Sequence, residues 1–191
     1  LSAADRVEPA LNQLGKLRSV PYAELYNRTA EYWRNWLKAA NPCPIGDEPI
    51  RSLYERSLLV MKLMSDELSG AVIAAPEMDE SYARSGGYGY CWGRDAAFIA
   101  TAMDLAGLGT LSEKFFRWAL TAQDRSGAWQ QRHYHDGTLA PSWGLQIDEG
   151  ASILWGLWRH YELTGSEWVL GDEVWEAVER GADFLVRMLD E

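Results

Sequence analysis

Gly86-Gly87-Tyr88-Gly89-Tyr90-Cys91-Trp92-Gly93-Arg94-Asp95 places three aromatics and an Arg-Asp pair on a glycine-rich loop that runs straight into a small-residue helix, Arg94 to Leu105. Glycine lets a backbone turn sharply and approach a ligand closely. Aromatics alternating along such a loop have no helical face to pack on, so some of them line a surface. An arginine beside an aspartate offers a fork of donors next to an acceptor, the pairing that grips neighbouring hydroxyls. Two readings fit the loop alone. One is a sugar-binding pocket; the other is a buried aromatic cluster with an Arg-Asp ion pair at a helix start.

A second segment tips that balance. Trp129-Gln130-Gln131-Arg132-His133-Tyr134-His135-Asp136-Gly137 precedes Pro141-Ser142-Trp143-Gly144-Leu145-Gln146-Ile147-Asp148-Glu149-Gly150, again a polar-aromatic loop feeding a helix. Together the two segments resemble the glucoamylase-like glycoside hydrolases, family fifteen, which includes glucoamylases, glucodextranases and some trehalases. The matching words are Tyr-x-Tyr-x-Trp-x-Arg-Asp at Tyr88 to Asp95 and Ser-Trp-Gly-x-Gln-x-Asp at Ser142 to Asp148. Phe115-Phe116-Arg117-Trp118 and Gln123-Asp124 between them are similar to the prokaryotic branch. The resemblance runs from about Tyr32 to the last residue.

The chain reads as helix after helix, an all-α protein. Tyr22 to Ala40 is amphipathic and stops before Asn41-Pro42-Cys43-Pro44. Ile50 to about Leu68 follows Asp47-Glu48-Pro49, with Ser69-Gly70 as its break. Ala71 to Pro76 reads as a short extended piece. Thr110 to Gln123, Gln146 to Leu163 and Glu173 to Leu189 complete the series, the last with Ala177, Phe184, Leu185 and Met188 on its apolar face. This rhythm suits antiparallel helical hairpins. The family's catalytic fold is an (α/α)6 barrel of twelve helices, so the resemblance implies roughly the first half of a barrel in residues 47–191, with linker helices in residues 1–46. It also implies a partial catalytic domain and a companion polypeptide that completes the barrel.

Glycoside hydrolysis uses two carboxyl groups flanking the scissile bond, one a general acid and, in the inverting arrangement, the other a base that activates water. The family is inverting and exo-acting, releasing glucose from the non-reducing end of α-glucans. Its acid lies in a Trp-Glu-Glu motif after the helix that here holds Ala182-Asp183-Phe184-Leu185, and its base lies far downstream. Neither is recognisable here, and both are expected beyond Glu191. Val174-Trp175-Glu176-Ala177 differs from the acid's motif in placement and in Ala177, so Glu176 reads as a solvated helix residue. Glu149, beside Asp148 at a helix start, is the one candidate for proton transfer inside the chain. Its competing reading is simple: acidic residues favour helix N-termini. The carry-over for substrate binding assigns Arg94 and Asp95 to the hydroxyls of the terminal glucose. Tyr88 is carried over as an aromatic near the catalytic water and reacting ring, Tyr90 and Trp92 as supporting aromatics with Trp92 at the sugar, Trp143 as the brace of acid and sugar, and Gln146 and Asp148 as pocket support.

The composition sets further bounds. A chain of 191 residues can bury a core of its own, and its net charge of −10 argues against nucleic-acid or anionic-membrane partners. No run approaches the ~20 apolar residues of a membrane span. The expected partner is an α-linked gluco-oligosaccharide or polysaccharide, and no cofactor is implied. His133-x-His135 lacks a further ligand at zinc spacing, so Arg132 and Tyr134 read as pocket rim. Trp155 and Trp158, at helical spacing, read as core. Cys43 and Cys91 make no disulfide framework. No charged-then-apolar leader opens the sequence, which favours a cytoplasmic setting. Trehalose and dextran remain alternative substrates, since these motifs bind only a terminal glucose. A sugar-binding or regulatory protein that kept the pocket without the carboxylates is the non-enzymatic alternative. An isoprenoid cyclase on an α/α barrel is disfavoured, since its Asp-rich motif is missing and a hydroxyl clamp at Arg94-Asp95 has no role there.

Overall fold

A computed structural model describes residues 6–77 and 87–189, so Gly86 of the glycine-rich loop and the terminal Asp190-Glu191 lie outside the described residues. Among the described residues all regular structure is helical apart from three isolated β-bridges. The chain divides into two compact units, Leu1–Ala39 and Ala40–Glu191. The first holds α1 (Val7–Arg18) and α2 (Tyr22–Lys38). Helix α1 stands before the first helix that the periodicity located.

The second unit contains α3 (Glu48–Met64), α4 (Gly93–Leu105), α5 (Gly109–Ala122), α6 (Ile147–Thr164) and α7 (Asp172–Arg187). Asp47 caps α3 by accepting the Ile50 N–H at 3.1 Å, and Pro49 sits in the first turn. The helix ends at Met64, four residues before the expected Leu68. Asp66 explains the early stop: its carboxylate accepts both the N–H and the hydroxyl of Ser69, and its own N–H bonds to Ala71. That local turn competes with the helix. It swings Val72 into a bridge with Ser65, and Ala74 and Ala75 donate to the carbonyls of Tyr90 and Tyr88. The extended 71–76 piece thereby anchors the aromatic loop.

Helices α4 and α6 pack most closely. Small residues allow this: Ala97 and Gly156 face one another, and a Cβ at Gly156 would lie 3.2 Å from that of Ala97 and 3.0 Å from the Phe116 ring. The core continues through Phe115, Phe116, Ile153 and Leu157. Helix α7 closes it with a stripe of Val174, Ala177, Gly181 and Phe184. Glu176 lies on the opposite, exposed face. Trp155 and Trp158 depart from the core reading, being 40 % and 57 % exposed. The buried stripe of α6 is Ile153, Gly156, Leu157 and His160, which leaves both tryptophans on the other side, with Trp155 5.1 Å from Phe98 and Trp158 5.9 Å from Tyr161. Cys43 and Cys91 are both free thiols.

Candidate functional site

The site forms where the first turns of α4 and α6 meet. Helix α4 begins at Gly93 directly after the aromatic loop, and its N-cap residue Trp92 supplies no side-chain cap. Glu149, in the first turn of α6, supplies it from across the interface: its Oε2 accepts the Arg94 backbone N–H at 2.8 Å. A helix N-terminus leaves donors unpaired and carries partial positive charge, so a carboxylate there satisfies both. The approach needs Gly93, because a Cβ at that position would sit 2.8 Å from Ile153 Cδ1 and 3.1 Å from the Glu149 carbonyl oxygen.

Three carboxylates surround the Arg94 guanidinium. Nη1 bonds Asp148 and lies 3.1 Å from Glu149 Oε1, while Nη2 lies 3.4 Å from Asp95. Glu149 is 0 % exposed, and its Oε1 makes no hydrogen bond among the described residues, so its contact with Arg94 is electrostatic. Burial pushes the Glu149 carboxyl up to about 7, against the pull of the Arg94 N–H and charge and with the push of Asp148 and Asp95. Burial also works against the Arg94 charge, but Asp148, Glu149 and Asp95 outweigh it and hold the guanidinium above its ordinary value. Arg94, Asp95 and Asp148 stay partly open to solvent.

The aromatic residues stack beside this cluster. Trp92 is buried, with Tyr88 at 6.1 Å and Trp143 at 6.0 Å between ring centroids. Tyr88 and Trp143 are exposed. Trp92 Nε1 and Gln131 Nε2 are buried donors with no acceptor among the described residues. Gln146 is half-buried at the N-cap of α6, where its carbonyl accepts the Glu149 N–H. Tyr90 turns toward Tyr134, 5.4 Å away edge to face.

Arg132 overturns its reading as pocket rim. It is 0 % exposed, with its guanidinium 4.8 Å from the Tyr90 ring, 4.5 Å from Trp143 and 5.6 Å from Trp92. It donates to the carbonyls of Gly87 and Pro141, one from each polar-aromatic loop. The planar guanidinium stacks on rings and binds carbonyls at once, so one side chain ties both loops together. Gln131 adds a second tie, accepting the Trp143 N–H at 3.3 Å. Sequence reasoning missed Gln131 and put Arg132 at the rim rather than in the interior; a polar pair inside an aromatic loop was the available signal. His133 is buried against Trp118, with burial lowering its basicity, whereas His135 is exposed.

The sequence pattern of the glycosyl hydrolases family 15 matches residues 48–178, which contain every residue of this cluster. The chain belongs to that family. An uncharacterised glycosyl hydrolase of Methanocaldococcus jannaschii is 30 % identical over 163 residues, covering 83 % of this chain and 25 % of that protein. Trehalases of Mycolicibacterium smegmatis and Mycobacterium tuberculosis are 30 % and 32 % identical, each over 53 % of this chain and 15 % of their own length. A bacterial glucoamylase solved in complex with acarbose superposes with a TM-score of 0.70 at 24 % identity, over 94 % of this chain and 25 % of that one. The chain thus spans a quarter or less of the length of these relatives. The fold is that of part of a glucoamylase-like α/α toroid, as the helical rhythm and motifs implied.

Proposed function

We propose that this chain supplies the terminal-glucose clamp of an inverting, exo-acting α-glucoside hydrolase that releases glucose from non-reducing ends. The observation that carries the reading is the convergence of Arg94, Asp95, Asp148 and Glu149 at two helix starts, beside Trp92, Tyr88 and Trp143. Charged acceptors and donors with flat apolar walls suit a glucosyl ring, which presents hydroxyls at its edge and C–H groups on its faces. Three carboxylates around one guanidinium leave the site negative, the sign needed to stabilise an oxocarbenium-like transition state.

In this reading residues 47–191 form the first half of the catalytic barrel and residues 1–46 the linker helices. Asp95 accepts a sugar hydroxyl, Arg94 orients it, and Gln146 and Asp148 support the pocket. General acid and base are assigned to no residue of this chain; the remainder of the barrel provides them. The two trehalase relatives favour a second substrate, trehalose, since a terminal-glucose clamp serves either.

The test is turnover of maltose, trehalose and an isomalto-oligosaccharide by the protein carrying the complete barrel, with product anomers followed by proton NMR. Initial β-glucose from an α-linked substrate supports the reading. Initial α-glucose refutes the inverting mechanism, and no turnover with retained sugar binding identifies a non-catalytic binding protein.

A further inference from the structure

Glu149 is bound up with the clamp in three ways. It is fully buried, its Oε2 caps α4 through the Arg94 N–H, and its Oε1 lies 3.1 Å from Arg94 Nη1 and makes no hydrogen bond among the described residues. A group in that position touches the inner side of Arg94, while Asp95 and Asp148 touch the guanidinium from the solvent side. We propose that Glu149 is a positioning residue: it holds the Arg94 side chain in register with the start of α4, so that the Arg94-Asp95 pair meets the sugar, and it does not itself transfer a proton to the glycosidic oxygen. This inference rests on the clamp reading above.

The physical reason is the shared backbone contact. One carboxyl fixes both ends of Arg94, the amide and the guanidinium, whereas Asp148 holds only the guanidinium. Ionised, Glu149 accepts the Arg94 N–H at Oε2 and attracts the guanidinium at Oε1. Protonated, one oxygen becomes a donor, and Arg94 is left to Asp148 and Asp95. The charged groups acting on Glu149 are Arg94 and Asp95 from α4 and Asp148 from its own helix. The loop packed on neighbouring Gly150 brings the uncharged Trp129, and Arg132 of that loop turns to Tyr90, Trp92 and Trp143. With its carboxyl pushed up to about 7 by burial, Glu149 changes charge near neutrality, and the clamp tightens as pH rises through that point.

The test compares wild type with Glu149→Gln and Glu149→Ala in the protein carrying the complete barrel, using maltose, which is uncharged at every pH. Steady-state kinetics from about pH 5.5 to about pH 8.5 are combined with the pH response of the Arg94 amide signal in NMR. The glutamine keeps the cap but never ionises. Its kcat is expected within about tenfold of wild type, with the inflection near neutrality gone from kcat/KM, while the alanine raises KM by about tenfold or more. A fall in kcat of about a thousandfold in the glutamine variant would make Glu149 a proton donor and overturn the proposal. So would an unchanged pH profile, or an Arg94 amide that ignores pH in an active wild type. A wild type that does not bind maltose refutes the clamp reading and the inference with it.

Discussion

Gly181→Ala places a single methyl where the structure has no room, and the outcome turns on which of two opposing effects is larger. Alanine is the better helix former by about 1 kcal/mol, so an unconstrained site would gain stability. Here the new Cβ would lie 2.6 Å from Trp129 Cζ3 and 3.1 Å from Cη2, well inside contact distance. The indole cannot turn aside freely. It is buried, and its Nε1 donates to the Ala119 carbonyl at 2.8 Å, a bond whose loss leaves a buried donor unpaired. Overpacking costs about 1–3 kcal/mol and weakening the buried indole bond about 1 kcal/mol more, against the gain of about 1 kcal/mol in propensity, so the balance is a net loss of roughly 2 kcal/mol. In a chain of 191 residues that corresponds to a fall in Tm of about 4–8 °C. Thermal melts in the near and far ultraviolet would read it, with Asp183→Ala, at an exposed position of the same helix, reporting propensity alone. Trp129 also opens the loop that carries Gln131 and Arg132, so the near-ultraviolet aromatic signal should change as well. A Gly181→Ala protein as stable as the Asp183→Ala control would refute the packing argument.

Further expectations concern charge and accessibility. The stability of wild type relative to Glu149→Gln should be greatest below pH 4.5, decline as pH rises, and level off above about 7, by about 3 kcal/mol in all, because the unfolded carboxyl ionises before the buried one. Urea titrations at several pH values would show it, and a difference constant with pH would contradict it. Arg132→Lys, which loses ring stacking and cannot hold the Pro141 and Gly87 carbonyls with one planar fork, should cost about 2–4 kcal/mol in urea unfolding. A neutral result would end the view of Arg132 as the tie between loops. Cys91 is buried, with its thiol pushed up to about 12 by burial, so native alkylation should modify Cys43 and spare Cys91. Equal labelling of both in a mass spectrum would show that the antiparallel backbone pairing of Cys91 with His133 opens readily.

The sequence made much of this site legible because its two motifs are each local. Tyr88 to Asp95 and Ser142 to Asp148 are loop-to-helix words, and turn residues followed by a helical period identify such boundaries without tertiary information. What escaped was decided across the chain. Glu149 obeys the local rule for acidic residues in a first turn, yet the helix start it caps belongs to α4, 55 residues away. Arg132 is buried because rings from three positions, Tyr90, Trp92 and Trp143, close over it. The spacing of Trp155 and Trp158 is helical, but periodicity names a stripe without saying which stripe meets the core, and Gly156 and Leu157 took that place in α6. The early end of α3 was set by one side chain, Asp66, folding back on Ser69.

The central claim, that the meeting point of α4 and α6 holds a terminal glucose, is tested most directly by calorimetric titration of acarbose into wild type and Asp95→Asn. Removing the carboxylate of one charge-assisted contact, at about 2–4 kcal/mol, predicts binding by the wild type and a loss of roughly 30- to 1,000-fold in the variant. Equal affinity in the two proteins would place the sugar elsewhere and contradict the account.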